Sequence, residues 1–101
     1  MDKLIEINKK RLDKDPNNYY PYWNIALGYR NLYDYENAII YYKKSKQYLA
    51  MGVYTRTDYS IADCYMNLGN FSKAIEFLQN IHSDDNELMK LVYEHLAIAY
   101  E

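Results

Sequence analysis

Along this 101-residue chain the apolar residues recur at three- and four-residue intervals, the spacing of a helical face. Tyr22, Ile25, Ala26 and Tyr29 stand at i, i+3, i+4 and i+7, and Tyr93, Leu96, Ala97 and Tyr100 repeat that spacing. With only three glycines and two prolines to interrupt it, the pattern predicts an all-α domain with short connections. Six helices are expected, over about 2–14, 19–32, 35–51, 55–68, 71–82 and 85–100. Asn18, Asp34, Asn70 and Ser83 are N-cap residue types standing just before these segments, and Pro21 suits a first helical turn. Gly52 and Gly69 fall at helix ends, where a left-handed cap residue is wanted.

The pattern also repeats on a longer scale. "DYENAIIYYKKS" (34–45) aligns with "NFSKAIEFLQNI" (70–81) at an offset of 36, pairing Asp34 with Asn70, Tyr35 with Phe71, Ala38-Ile39 with Ala74-Ile75, and Tyr42 with Leu78. Upstream, Ile25-Ala26 and Tyr29 fall on Ile61-Ala62 and Tyr65 at the same offset, and Leu96-Ala97 with Tyr100 follow 35 residues later. Such self-similarity marks a repeat architecture.

These motifs resemble the tetratricopeptide repeat, whose pattern is W-x2-L-G-x2-Y followed by A-x3-F and then P. The first full unit reads Tyr22-x2-Ile25-Ala26-x2-Tyr29 with Ala38-x3-Tyr42, and the second Asp58-x2-Ile61-Ala62-x2-Tyr65 with Ala74-x3-Leu78. The chain departs from the pattern in three respects: periods of 36 and 35 against the family's 34 imply small insertions between units, the proline after the second helix is missing from both full units, and Asp58 replaces a large apolar residue. The resemblance covers essentially the whole chain and implies a right-handed α-solenoid of antiparallel helix pairs. As one domain, it would comprise a second helix of a partial unit (2–18), full units over 19–53 and 54–83, and the first helix of a third unit (84–101). Half units at both ends mean that either a longer repeat protein continues the array or another surface covers the ends. Leu91–Tyr100 of one molecule would then complement Leu4–Leu12 of another, giving a self-associating scaffold as the alternative to a binding module.

The aromatic-rich stretch "YYPYWNIALGYR" (19–30) divides into two stripes. Tyr22, Ile25, Ala26 and Tyr29 are the repeat's packing positions, with Ala26 small enough for a partner helix to approach, while Tyr19 covers the end of the preceding helix. The other stripe is Tyr20, Trp23, Leu27 and Arg30, matched in later units by Arg56, Tyr59, Asp63 and Met66, then by Leu91, Glu94 and Ile98. Asn24, Asn31, Ser60, Asn67 and His95 flank it. In the family, first helices line a concave groove, so the resemblance implies a groove that binds a peptide segment of a protein partner. Trp, Tyr and Arg are the residue types that most often dominate binding energy. The family's carboxylate clamp for chaperone C-termini uses Lys, Asn and Arg at places held here by Trp23, Leu27, Ser60, Leu91 and His95. An apolar or aromatic-bearing peptide is therefore the expected ligand.

Composition narrows the classes further. Twelve Lys and Arg against fourteen Asp and Glu give a formal charge of −2, which supplies no drive toward nucleic acid or an anionic membrane. Arg30 and Arg56 alone are too few for a basic groove that would stack single-stranded nucleic acid. Cys64 lies next to Asp63, with His95 thirty-one residues on, a weak hint of nucleophile and base. Gly28, Cys64 and Ala99 are equivalent across the units, however, which makes Cys64 one of three small residues at a close helix contact. His82, Asp84, Asp85, Glu87 and His95 lack the i, i+4 arrangement of two metal ligands on one helical face. Lys43-Lys44-Ser45-Lys46 reads as a solvated face. The expectation is a non-enzymatic, cofactor-free cytoplasmic module: the N-terminus has no apolar leader pattern, and the single cysteine precludes an intrachain disulfide.

Overall fold

A computed structural model describes residues 3–49 and 55–101. It contains six α-helices among the described residues: α1 (Lys3–Lys14), α2 (Tyr19–Asn31), α3 (Tyr35–Lys46), α4 (Thr55–Asn67), α5 (Phe71–Gln79) and α6 (Asn86–Tyr100). Each helix packs on its neighbour in sequence, and α4 also touches α6. The resulting body measures 42 × 28 × 20 Å.

Two buried clusters repeat the sequence offset in space. The first contains Ala26, Ala38, Ile39, Tyr42, Ile61 and Cys64. The second contains Ala62, Ala74, Leu78, Ile81, Leu88 and Val92. Ala26, Ala38 and Tyr42 therefore hold in one cluster the places that Ala62, Ala74 and Leu78 hold in the next, a helical repeat-like fold. Small residues mark where helices approach. A Cβ added to Gly28 would lie 2.6 Å from Cγ1 of Ile5 on α1, and its equivalent Cys64 is fully buried.

Cap chemistry explains most of the boundaries. The carboxylate of Asp34 accepts from the backbone N–H of Asn37, the side chain of Asn70 accepts from Lys73, and that of Asn18 accepts from Tyr20. Ser83 does not cap α6. Its hydroxyl accepts from the N–H of Asp85, whose own carboxylate accepts from Glu87 and Leu88, because a charged oxygen suits the positive helix end better than a hydroxyl. Helix α5 ends at Gln79, short of 82, because the Asn80 side chain occupies the Glu76 carbonyl and Ile81 bonds back only three residues to Leu78. Helix α3 likewise ends at Lys46. Gln47, Tyr48 and Leu49 each donate to the carbonyl three residues back, a tighter winding that stops the α-helix. Residues 50–51 of the expected helix, and Gly52, lie outside the described residues.

Two departures from expectation concern charge. Asp58, at an apolar position of the repeat, accepts from Lys46 Nζ at 2.6 Å, so an ion pair replaces the missing contact. The lysine cluster on α3 is not simply solvated. Ser45 is buried, Lys43 donates to the Tyr65 hydroxyl at 3.0 Å, and Lys44 lies over the Tyr41 ring.

The turns α2–α3 and α4–α5 have the same hydrogen bonds. Asp34 N–H donates to Tyr29 O and Asn70 N–H to Tyr65 O, both at 2.9 Å. Each turn has one left-handed residue, Gly69 (φ 77) in the second and Tyr33 (φ 61) in the first. Glycine adopts this conformation without steric cost and tyrosine does not. Gly69→Ala, whose new methyl meets nothing within 4 Å, is expected to lower stability by about 1 kcal/mol through backbone strain alone. Tyr33→Gly is expected to have the opposite sign. Urea denaturation of both variants checks this, and two shifts of the same sign would refute the assignment of strain.

Candidate functional site

Four of the residues singled out on the first-helix stripes meet in one network across α2, α4 and α6. Arg30 donates from Nε (3.2 Å) and Nη2 (2.9 Å) to Oδ2 of Asp63. The other carboxylate oxygen of Asp63 is 3.2 Å from Nε2 of His95. The Tyr59 hydroxyl lies 3.3 Å from that nitrogen, with its ring edge-on to the imidazole at 5.0 Å. His95 Nδ1 donates to the Leu91 carbonyl one turn back, which fixes the ring's orientation. Asp63 and His95 are mostly covered, while Arg30 is the more open member.

The electrostatics follow from burial and from Asp63. Hydrogen bonding to Asp63 holds the Arg30 guanidinium more firmly protonated than usual. Burial, with the Asp63 charge adding to it, raises the Tyr59 phenol. Cys64 is pushed up to about 12, first by burial and then by Asp63. A buried thiol that stays protonated at neutral pH is a poor nucleophile. Among the described residues, no group of three His, Cys, Asp or Glu side chains is placed to hold a metal ion.

A second region gathers aromatic surface. A cleft of about 420 Å³ is lined by Tyr19, Tyr20, Trp23, Leu49, Thr55, Arg56 and Thr57. Trp23 is half-buried and meets Tyr42 edge-on at 5.8 Å, so it forms a wall of the cleft and belongs equally to the first core. Tyr20 is exposed and carries its ring 5.2 Å from that of Tyr19. Arg56 pairs with Asp85 at 2.7 Å.

The remaining stripe residues are placed elsewhere. Asn24 donates to Asn8 on α1, and Asn67 donates to the Asp63 carbonyl of its own helix. Met66 packs on the second core. Leu27 is half-buried, whereas Asn31, Glu94 and Ile98 are exposed. Sequence reasoning missed Leu49 and Thr57 as cleft walls and read Tyr19 as a cover for the preceding helix. The mutual pairing of Arg30, Asp63 and His95 was also not foreseen. Its sequence signal is an arginine one helical turn beyond Leu27, with Asp63 at the position equivalent to Leu27 in the next unit.

No family model matches the chain, and no curated protein matches it.

The raised pKa of Cys64, together with that of buried Tyr42 at about 12, fixes the sign of alkaline behaviour. The unfolded chain releases these protons near their ordinary values of 9.0 and 10.0, while the folded chain holds them. The folded state then binds more protons, and stability falls as pH rises from about 9 toward 12. A lower urea midpoint at pH 10.5 than at pH 8 is expected, with a smaller drop in Cys64→Ala. A thiol reagent at pH 8 is expected to label Cys64 only after unfolding.

Proposed function

We propose that the chain is a tetratricopeptide-like interaction module, a right-handed α-solenoid of antiparallel pairs that binds a peptide segment of a protein partner. The ligand is apolar or bears aromatic residues, and it docks along the Tyr20–Trp23 cleft without cofactor or catalysis. The two core clusters offset by 36 residues and the duplicated turn support the repeat reading.

One observation carries the ligand class. The basic side chains of the first-helix stripes already have partners, Arg30 and His95 at Asp63 and Arg56 at Asp85 of the α6 N-cap. A carboxylate- or phosphate-bearing ligand would have to compete with Asp63 for Arg30 and with Asp85 for Arg56, the latter pair being the more exposed and the easier to displace. What remains is aromatic and aliphatic area with a polar rim, the usual composition of a protein contact. The same pairing of Arg30 and Arg56 disfavours nucleic acid. No helix among the described residues is long and apolar enough to cross a membrane, and we place the module in the cytoplasm.

Panning a displayed random-peptide library against the chain tests this reading. Enrichment of aromatic or aliphatic peptides is expected, with binding about tenfold weaker to Tyr20→Ala, a substitution on exposed surface that leaves the core intact. Trp23→Ala is the less clean probe, because it also removes a contact to Tyr42. Failure to enrich any peptide, or equal binding to Tyr20→Ala, would sink the proposal.

A further inference from the structure

The aromatic cleft has a charged neighbour. A second cavity, of about 370 Å³, lies between the last turn of α1 and the first turn of α2 and is lined by Arg11, Lys14, Asp15, Asn18, Tyr20 and Pro21. Tyr20 also lines the cleft it shares with Tyr19 and Trp23, so the two spaces adjoin at one side chain. Two consecutive helices supply the walls, and the packing between those helices sets their spacing. Arg11 and Lys14 stand three residues apart on one face of α1. Ile5 at Gly28 and Asn8 at Asn24 hold that helix against α2. The turn between them is tied by Asn18 N–H to the Asp15 carbonyl at 3.4 Å and by the Tyr22 hydroxyl to the Pro16 carbonyl at 2.9 Å.

The charge of this cavity comes from its side chains. The start of α2 adds little, because Asn18 already accepts from the Tyr20 N–H and Pro21 has none to give. Elsewhere on the molecule the fold uses its cations: Arg30, Arg56 and Lys46 pair with acids, and Lys9 and Lys43 donate to tyrosine hydroxyls. Arg11 and Lys14 are exposed, and neither is held in an ion pair among the described residues. Lys3, Lys10 and Lys90 are unpaired as well but line neither space. Asp15 faces the same cavity, so two positive charges stand against one negative. A locally positive cavity on a chain of formal charge −2 is set apart from the molecule's overall sign.

We infer that the peptide held in the Tyr20–Trp23 cleft carries an Asp or Glu side chain beside its aromatic or aliphatic anchor, and that Arg11 and Lys14 take this carboxylate. The assignment rests on the peptide reading above and adds the second half of the ligand. An extended chain advances about 3.4 Å per residue and one side chain separates the two spaces, so the acid stands within about three residues of the anchor. A single carboxylate brings the cavity to neutrality. A phosphate monoester, with a charge near −2, or a run of phosphodiesters would leave it negative beside Asp15. The contact is open to solvent, so it tunes affinity several-fold while the apolar anchor supplies most of the binding.

Panning a random-peptide library displayed through its C-terminus, so that every peptide carboxylate is a side chain, tests this on the wild-type chain and on the double variant Arg11→Gln with Lys14→Gln. Sequences enriched on the wild-type chain are expected to hold Asp or Glu within about three residues of an aromatic or aliphatic residue more often than the input library does. On the double variant the apolar preference is expected to persist and the acidic one to vanish. For one enriched peptide, synthesised with both ends blocked, changing the acid to its amide is expected to weaken binding about three- to fivefold at about 50 mM NaCl, less at about 500 mM, and not at all on the double variant. An apolar preference without an acidic one overturns the assignment and leaves the peptide reading standing, and so does an acidic preference that the double variant retains. Equal binding of the acid and amide peptides to the wild-type chain does the same, and that comparison decides the matter if the double variant loses its helical circular dichroism. Displacement of the peptide by a single-stranded oligonucleotide at comparable concentration overturns it in favour of a phosphate ligand. Failure to enrich any peptide takes down both readings.

Discussion

The close approach of helices at alanine positions sets the geometry of the whole domain. Ala26, Ala38, Ala62 and Ala74 have no exposed surface, and each lies in a cluster beside larger aliphatic or aromatic residues. A bigger side chain at any of the four would have to push a helix outward, because packed interiors leave no room for even one added methylene without strain. Gly28 carries the same constraint to the first helix pair, where Ile5 fills the space that a Cβ would take. The 36-residue register between the two clusters then follows, since one repeat's small residues must meet the next repeat's aromatic and aliphatic ones.

That register brings the first-helix stripes of α2, α4 and α6 into line, and the polar chemistry follows from the alignment. Arg30 and Asp63 belong to different units yet lie within 3 Å, and Asp63 reaches onward to His95 in a third helix. A carboxylate that accepts two hydrogen bonds from Arg30 and lies against the His95 ring is well satisfied, which leaves little of the face to bind charge. The Lys46–Asp58 pair shows the same economy inside the stack. The position that holds Tyr22 in the first unit and Tyr93 in the third holds an acid in the second, and a lysine from the preceding helix neutralises it while lying over the Phe77 ring.

The six helices and their repeat were legible in the sequence because helical period and small-residue spacing depend on local geometry that each copy must obey. Element ends were less legible where a side chain competes with the backbone. Asn80 stops α5 by occupying a carbonyl, and Asp85 outcompetes Ser83 for the start of α6. The candidate site was readable as a set of positions but not as a pattern of contacts. Nothing in the order of residues says that Asn24 turns to Asn8 or that Trp23 leans on Tyr42. Those outcomes depend on which neighbouring helix offers a partner at the right height, a tertiary fact.

The fourteen tyrosines make the same point about what composition can tell. A body only 20 Å thick has few positions remote from solvent, so a residue with a broad ring and a polar tip fits better than phenylalanine. Tyr29 stacks on Tyr41 and accepts a hydrogen bond from Lys9. Tyr65 stacks on Phe77 and accepts one from Lys43. Tyr22 stacks on Tyr48 and donates to the Pro16 carbonyl. In each case the ring builds the layer between helices and the hydroxyl settles its own hydrogen bond at the rim, so the residue is spent on the fold. Tyr20 differs in both respects. Its ring is 56% exposed and its hydroxyl takes part in no hydrogen bond among the described residues. An aromatic that the fold does not use, beside a cleft whose one arginine is already paired, is the kind of surface that only a second molecule can bury.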